Sequence, residues 1–87
     1  MTERKISAHA LDQAARRGVD EATMTRIAER PEQVVAVRVG REVRQSRVSG
    51  EDGRRFLVRV FVDIAAEQET VVTVYKTSKI AKYWREP

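Results

Sequence analysis

The sequence predicts an α+β fold in which two N-terminal helices pack on a four-stranded antiparallel sheet, followed by a short C-terminal helix or tail. Three observations predict it. Two stretches before Pro31 carry apolar residues at helical spacing, the period changes to alternation from Gln33 onward, and the segments between the alternating runs are short and polar. Short polar connections favour antiparallel neighbours, and such a sheet can bury one face under helices.

The first helix starts after Ser7, whose hydroxyl is placed to accept a hydrogen bond from an unpaired backbone N–H in the run Ala8-His9-Ala10-Leu11. Ile6 and Leu11 occupy the two positions of a hydrophobic staple, and Ala8, Leu11 and Ala15 form a narrow apolar stripe. Gly18 suits a left-handed stop after Arg17. Asp20 then caps a second helix whose buried stripe is Met24, Ile27 and Ala28, with Val19 able to staple to Met24. Pro31 ends that helix by pushing Arg30 towards an extended conformation.

Residues 33–39 (QVVAVRV) are β-branched and strand-like, and Gly40-Arg41 offers a tight turn into a more polar strand at 42–48. Residues 49–53 are a loop. Residues 54–63 form the strongest strand, with Phe56, Val58, Val60 and Val62 on one face and Leu57, Arg59, Phe61 and Asp63 on the other. A polar connection at 65–69 leads to a fourth strand at 70–76, and residues 77–84 are a short helix capped by Thr77 or Ser78, or an irregular lid.

Eighty-seven residues (10.0 kDa) make one domain, residues 1–87. The absence of cysteine removes disulfide staples, thiolate metal sites and a cysteine nucleophile, and His9 is the single histidine. No apolar run reaches a membrane span and no signal peptide is evident, so a cytoplasmic domain is expected, with no cofactor and no metal. The net charge of +4 leans mildly towards anionic partners. Residues 1–43 carry eight basic and seven acidic side chains, whereas residues 44–87 carry nine and six, so the later half is the better place for a phosphate-binding surface.

Three groups of residues carry candidate chemistry. His9 stands in the first turn of the first helix with Arg16 two turns on; a neutral imidazole beside a guanidinium suits proton abstraction near a phosphate, and a polar residue near a cap explains it equally. Residues 75–84 interleave Lys76, Lys79 and Lys82 with Tyr75, Tyr83 and Trp84, a combination that suits RNA because cations hold phosphate and rings stack on unpaired bases. A packed terminal segment with solvated lysines is the other reading. Arg59 interrupts a buried strand face, so its charge needs an open cleft or a salt bridge to Glu42 or Asp63. Arg41 and Arg47 share one face of their strand while Arg44 takes the other.

Together, Ser7-x-His9-Ala10, Arg16-Arg17-Gly18, Pro31 ahead of strands and Tyr75-x-Thr77-Ser78-Lys79 with Tyr83 resemble a widespread prokaryotic family of uncharacterised domains grouped with the RelE/ParE and BrnT toxin superfamily. The resemblance spans about residues 6–84. It implies a RelE-like α+β domain, metal-independent cleavage of messenger RNA and a cognate antitoxin as partner. The positions that match its pattern are His9, Arg16 or Arg17, Tyr75, Lys79 and Tyr83; joined with Arg59 and Lys76 from the reading of the residues themselves, they give His9, Arg16, Lys79 and Tyr83 as expected catalytic residues and Arg17, Arg59, Tyr75 and Lys76 as expected RNA-binding residues. His9 would be base or phosphate ligand, Arg16, Arg59 and Lys79 would stabilise phosphate charge, and Tyr75 or Tyr83 would stack a base or move a proton. ParE-type relatives imply the alternative of a non-enzymatic domain that binds a protein along a strand edge or sheet groove.

Overall fold

The computed structural model describes residues 3–86, which run as β1 (Glu3–Ile6), α1 (Ala8–Arg16), α2 (Glu21–Glu29), β2 (Gln33–Arg38), β3 (Arg41–Ser49), β4 (Arg55–Ala65), β5 (Gln68–Thr77) and α3 (Ile80–Tyr83). The five strands form one sheet in the order β1-β5-β4-β3-β2. Strands β2 to β5 are an antiparallel meander, while β1 runs parallel to β5, with Glu3 opposite Gln68 and Ile6 opposite Val71.

This corrects the expected architecture of two leading helices on a four-stranded antiparallel sheet. A strand precedes the helices and the sheet is mixed. The segment Glu3-Arg4-Lys5-Ile6 has three charged residues in four and no β-branched alternation, so nothing local marks it as a strand. Its conformation comes from pairing with β5 and from Arg4, which reaches Glu29 of α2 at 3.2 Å and Glu69 of β5 at 3.8 Å.

Both helix starts follow the local chemistry. Ser7 Oγ accepts from the N–H of Ala10 at 3.0 Å and donates to the carbonyl of Val72, fixing the helix start to β5. The Asp20 carboxylate accepts from the N–H of Thr23, and Gly18 closes α1 at φ +69°. The buried stripe of α2 is Met24, Ile27 and Ala28, as its spacing predicts. That of α1 is not Ala8, Leu11 and Ala15: Ala10 and Ala14 are buried and Leu11 is 42% exposed. Side chains no larger than a methyl let α1 lie close on the sheet, so the bulkiest apolar residue points out, and the Ile6–Leu11 staple leaves Leu11 in solvent. The C-terminal helix is a single turn with no side-chain cap, and Thr77 Oγ1 accepts instead from the N–H of Lys79 just ahead of it. No helix among the described residues is long and apolar enough to cross a membrane.

The core lies between α1, α2 and one sheet face, where Val58, Val60, Val62, Val71 and Val74 meet Ala10, Ala14, Met24, Ile27 and Ala28. Each fully buried Val, Ile or Met contributes about 1.5–3 kcal/mol. At the margin of this core Arg44 is enclosed by Glu42 at 2.7 Å, Glu69 at 2.8 Å and the carbonyl of Ala28 at 2.7 Å. Burial by itself would lower the Arg44 pKa, but its hydrogen bonds to Glu69 and Glu42 outweigh burial and raise it. Parity on β3 is as expected, with Arg44 on this face and Arg41 and Arg47 on the other, opposite Asp63 and Leu57.

Two predictions follow from these ion pairs. Glu69→Ala leaves Arg44 with Glu42 alone, so urea unfolding is expected to show a loss of about 3 kcal/mol, the low end for breaking a buried pair. Three surface carboxyls are held below their ordinary values: Asp63 by hydrogen bonds from Arg41, Glu32 by hydrogen bonds from Arg47, and Asp20 by its bonds to Thr23. A depressed folded pKa gives stability that is complete above the unfolded values of 3.8 and 4.5 and is lost as pH falls through the folded ones. Melting temperature should therefore be flat from pH 7 to about 5 and fall steeply below about pH 4.

Candidate nucleic-acid interface

The second sheet face carries a polar rung that crosses four strands. Gln33 of β2 pairs with Gln45 of β3, Gln45 with Arg59 of β4, and Arg59 with Tyr75 of β5. Residues that face one another across antiparallel strands point to the same side, so these four side chains stand in a row roughly 14 Å long. They are joined along it: Gln45 Nε2 donates to Gln33 Oε1 at 2.8 Å, and Arg59 Nε donates to Gln45 Oε1 at 3.0 Å.

The segment after β5 folds back over this rung. Gln45 Nε2 also donates to the carbonyl of Tyr83, while Gln33 donates to the carbonyl of Arg85 and accepts from its N–H. Gln45 is 0% exposed and spends both ends of its amide on these bonds. The strap places the Tyr83 ring 4.3 Å from the Arg59 guanidinium and edge-on to Tyr75 at 6.0 Å. Arg17, at the end of α1, reaches Tyr75 at 4.7 Å. One step along the strap Trp84 lies 4.1 Å from Arg47, which is held by a two-pronged bond to Glu32. The structure therefore builds a continuous series Arg17–Tyr75–Tyr83–Arg59 with Arg47–Trp84 beside it.

Arg59 differs from the three arginines of β3. Arg41 has Asp63, Arg44 has Glu42 and Glu69, and Arg47 has Glu32. The expected salt-bridge partners of Arg59, Glu42 and Asp63, are thus taken, and among the described residues Arg59 has only the neutral oxygen of Gln45 and two rings. Burial pulls its pKa below the ordinary guanidinium value, and Arg85 adds to the effect while Tyr83 and Tyr75 oppose it. A half-buried cation without a counter-charge gains when an anion arrives. Next to it is a pocket of about 190 Å³ lined by Arg59, Lys82, Tyr83, Trp84 and Arg85, three cations and two rings with no carboxylate. A larger cleft of about 700 Å³ sets Arg26, Arg47 and Lys76 against the carboxylates of Asp20 and Glu51, so its positive bias is largely offset.

The other candidate residues lie elsewhere. His9 is exposed in the first turn of α1, on the helix-bearing side, and about 12 Å of helix rise separates it from Arg17. Arg16 is exposed and bonded to Asp12 one turn back at 2.8 Å. Lys76 faces the helices and lies 4.5 Å from the Phe56 ring. Lys79 is exposed at the start of α3 with its side chain in solvent. Tyr75, Tyr83, Arg17 and Arg59 are brought together; His9, Arg16, Lys76 and Lys79 are not. Gln33, Gln45 and Arg85 were not singled out by sequence reasoning, and Lys82 entered it only as one of the three lysines of residues 75–84. A glutamine sharing the face of Val43 in the middle of the polar strand β3 was the available signal, because a buried amide must find partners on every side. Among the described residues no group of three His, Asp or Glu side chains is arranged to hold a metal ion.

No family model, no curated protein and no solved structure matches this chain.

The single tryptophan, Trp84, reports on the strap. Gln45→Ala removes the bonds to the Tyr83 carbonyl, Gln33 and Arg59, so Trp84 emission should move to longer wavelength and acrylamide quenching should increase, with a stability loss of about 1–3 kcal/mol.

Proposed function

We propose that this chain is a toxin-like, metal-independent endoribonuclease that works in the cytoplasm under the control of a cognate antitoxin and takes RNA at the Arg59 pocket. The observation that carries the reading is Arg59 itself, a half-buried guanidinium with no carboxylate among the described residues, set against Tyr83 in a pocket that otherwise holds Lys82 and Arg85. Cations gathered beside stacking rings fit the phosphate and the unpaired base of a single strand together. The resemblance of the Ser7-x-His9-Ala10 opening and the Tyr75-to-Tyr83 ending to the RelE/ParE and BrnT superfamily supports the same reading.

In the reaction we assign, the ribose 2′-hydroxyl gives up its proton and its oxygen bonds to the adjacent phosphorus. The bond to the 5′-oxygen breaks, that oxygen takes a proton, and the products carry a 2′,3′-cyclic phosphate and a 5′-hydroxyl. Arg59, Lys82 and Arg85 balance the charge on the phosphorane. Tyr83, beside Arg59, is the group assigned to protonate the leaving 5′-oxygen, the 2′-hydroxyl proton passes to water, and Tyr75 with Arg17 stacks the neighbouring base. His9, Arg16 and Lys79 stand outside this pocket and are assigned at most to contacts with flanking RNA.

One observation favours a second reading as a non-enzymatic binding domain: His9, the residue best suited to be a general base near neutral pH, does not share the pocket with Tyr83. The two readings separate in one assay. A fluorescent single-stranded RNA is incubated with excess purified protein in the presence of a chelator, and binding and cleavage are followed together. Arg59→Gln is expected to slow cleavage by about 100-fold. Lys82→Glu, which sets a carboxylate on the exposed rim of the same pocket, should weaken RNA binding by about tenfold with the fold intact by circular dichroism. Binding without cleavage selects the second reading; neither binding nor cleavage defeats the proposal.

A further inference from the structure

The outer edge of β2 is unpaired in the sheet order, with no strand of the described residues beyond it. Natural edge strands are usually blunted by charge, proline or a covering element. Residues 33–37 (QVVAV) carry none of these in a chain that is 34% charged, and Val34, Val37 and Val39 are exposed, Val34 to 55%. A β-branched, uncharged edge of this length is a template for strand pairing.

Its sequence is also complementary to itself. Facing residues of an antiparallel pair lie on the same side of the sheet, so a two-fold axis must pass through a residue of β2. With the axis at Val35, Val35 meets Val35, Val34 meets Ala36, Gln33 meets Val37, and at both ends Glu32, whose carboxylate also holds Arg47, meets Arg38. The centre is apolar and each flank joins opposite charges. Arg38 has no ion-pair partner among the described residues, and its strand bulges between Ala36 and Arg38, which gives the side chain room to turn outward.

We propose that two copies of this chain associate by antiparallel pairing of β2 with β2 about an axis at Val35, making one continuous ten-stranded sheet. A pair of six-residue strands with a few valines lies at the small end of specific interfaces, below about 1,200 Å², so a dimer with a dissociation constant on the order of micromolar is expected. The pairing does not depend on RNA chemistry, and both Arg59 pockets lie on one side of the joined sheet.

Sedimentation velocity from about 5 to 500 μM, spanning that constant, is the test. Wild type should move from the 10.0 kDa species to one of twice that mass. Val34→Lys with Ala36→Lys sets lysine against lysine at both central pairs and should raise the dissociation constant by about tenfold or more, and Arg38→Glu should raise it severalfold. Both variants alter exposed side chains, and circular dichroism checks that they fold. Because the chain has no cysteine, Val35→Cys should crosslink to itself under mild oxidation, whereas Val39→Cys, off the axis, should not. A wild type that stays monomeric throughout overturns the proposal and leaves the edge to a strand from a different protein. So does a dimer that the lysine pair leaves unchanged, or one that Val39→Cys crosslinks as readily as Val35→Cys.

Discussion

Arg44 is the point through which most elements of this fold communicate. From β3 it touches Glu42 on its own strand, Glu69 on β5 and the end of α2 through the Ala28 carbonyl, and Glu69 in turn faces Arg4 of β1. A buried ion pair adds little stability compared with well-packed apolar groups, yet it tolerates only one arrangement of its partners. Four elements are therefore held in a single register by charges that cannot be left unmatched. The fifth strand depends on this most, since β1 has little apolar surface of its own and Arg4 is its tie to the network. The parallel strand is held by its ladder to β5, by Ile6 against the core and by these charges on the helix-bearing face.

The same accounting of charge separates the two sides of the sheet. On the helix-bearing side the arginine of the sheet centre is matched and sealed. On the other side Arg41 and Arg47 are matched and Arg59, between them in space, is not. An amide from Gln45 orients Arg59 without neutralising it, so the site retains a positive field and a defined direction. The rings of Tyr75, Tyr83 and Trp84 form the walls of that field, and each already has a cation of the chain against it.

Much of this was legible in the residues. Ser7 and Asp20 carry their caps on their side chains, Gly18 its turn, and the parity of β4 follows from simple alternation. Arg59 stood out because a charge in a strong strand must be explained. What could not be read depends on partners distant in sequence. The strand character of Glu3-Arg4-Lys5-Ile6 exists only beside β5, and the tail's path over Gln33 and Gln45 is written in backbone atoms that every residue shares. The burial of Ala10 and Ala14 over Leu11 reflects how closely α1 approaches the sheet, a distance that periodicity does not encode. Whether His9 and Tyr83 meet was not legible for a related reason: motifs at the two ends share a line of sequence, while the sheet stands between them.

The parallel pairing of β1 and β5 also governs when the molecule can be completed. Glu3 must wait for Gln68, 65 residues later, before its strand has anything to pair with. At about 5–20 residues per second that is roughly 3–13 s during which the first segment of a growing chain has no neighbour. The meander β2–β5 joins strands that are adjacent in sequence and has no such delay. Tyr83 and Arg85 follow every strand of the described residues in sequence, so the strap over Arg59 closes after that sheet. A nascent chain thus passes through a stage with its sheet built, its first strand unzipped and its basic pocket unfinished.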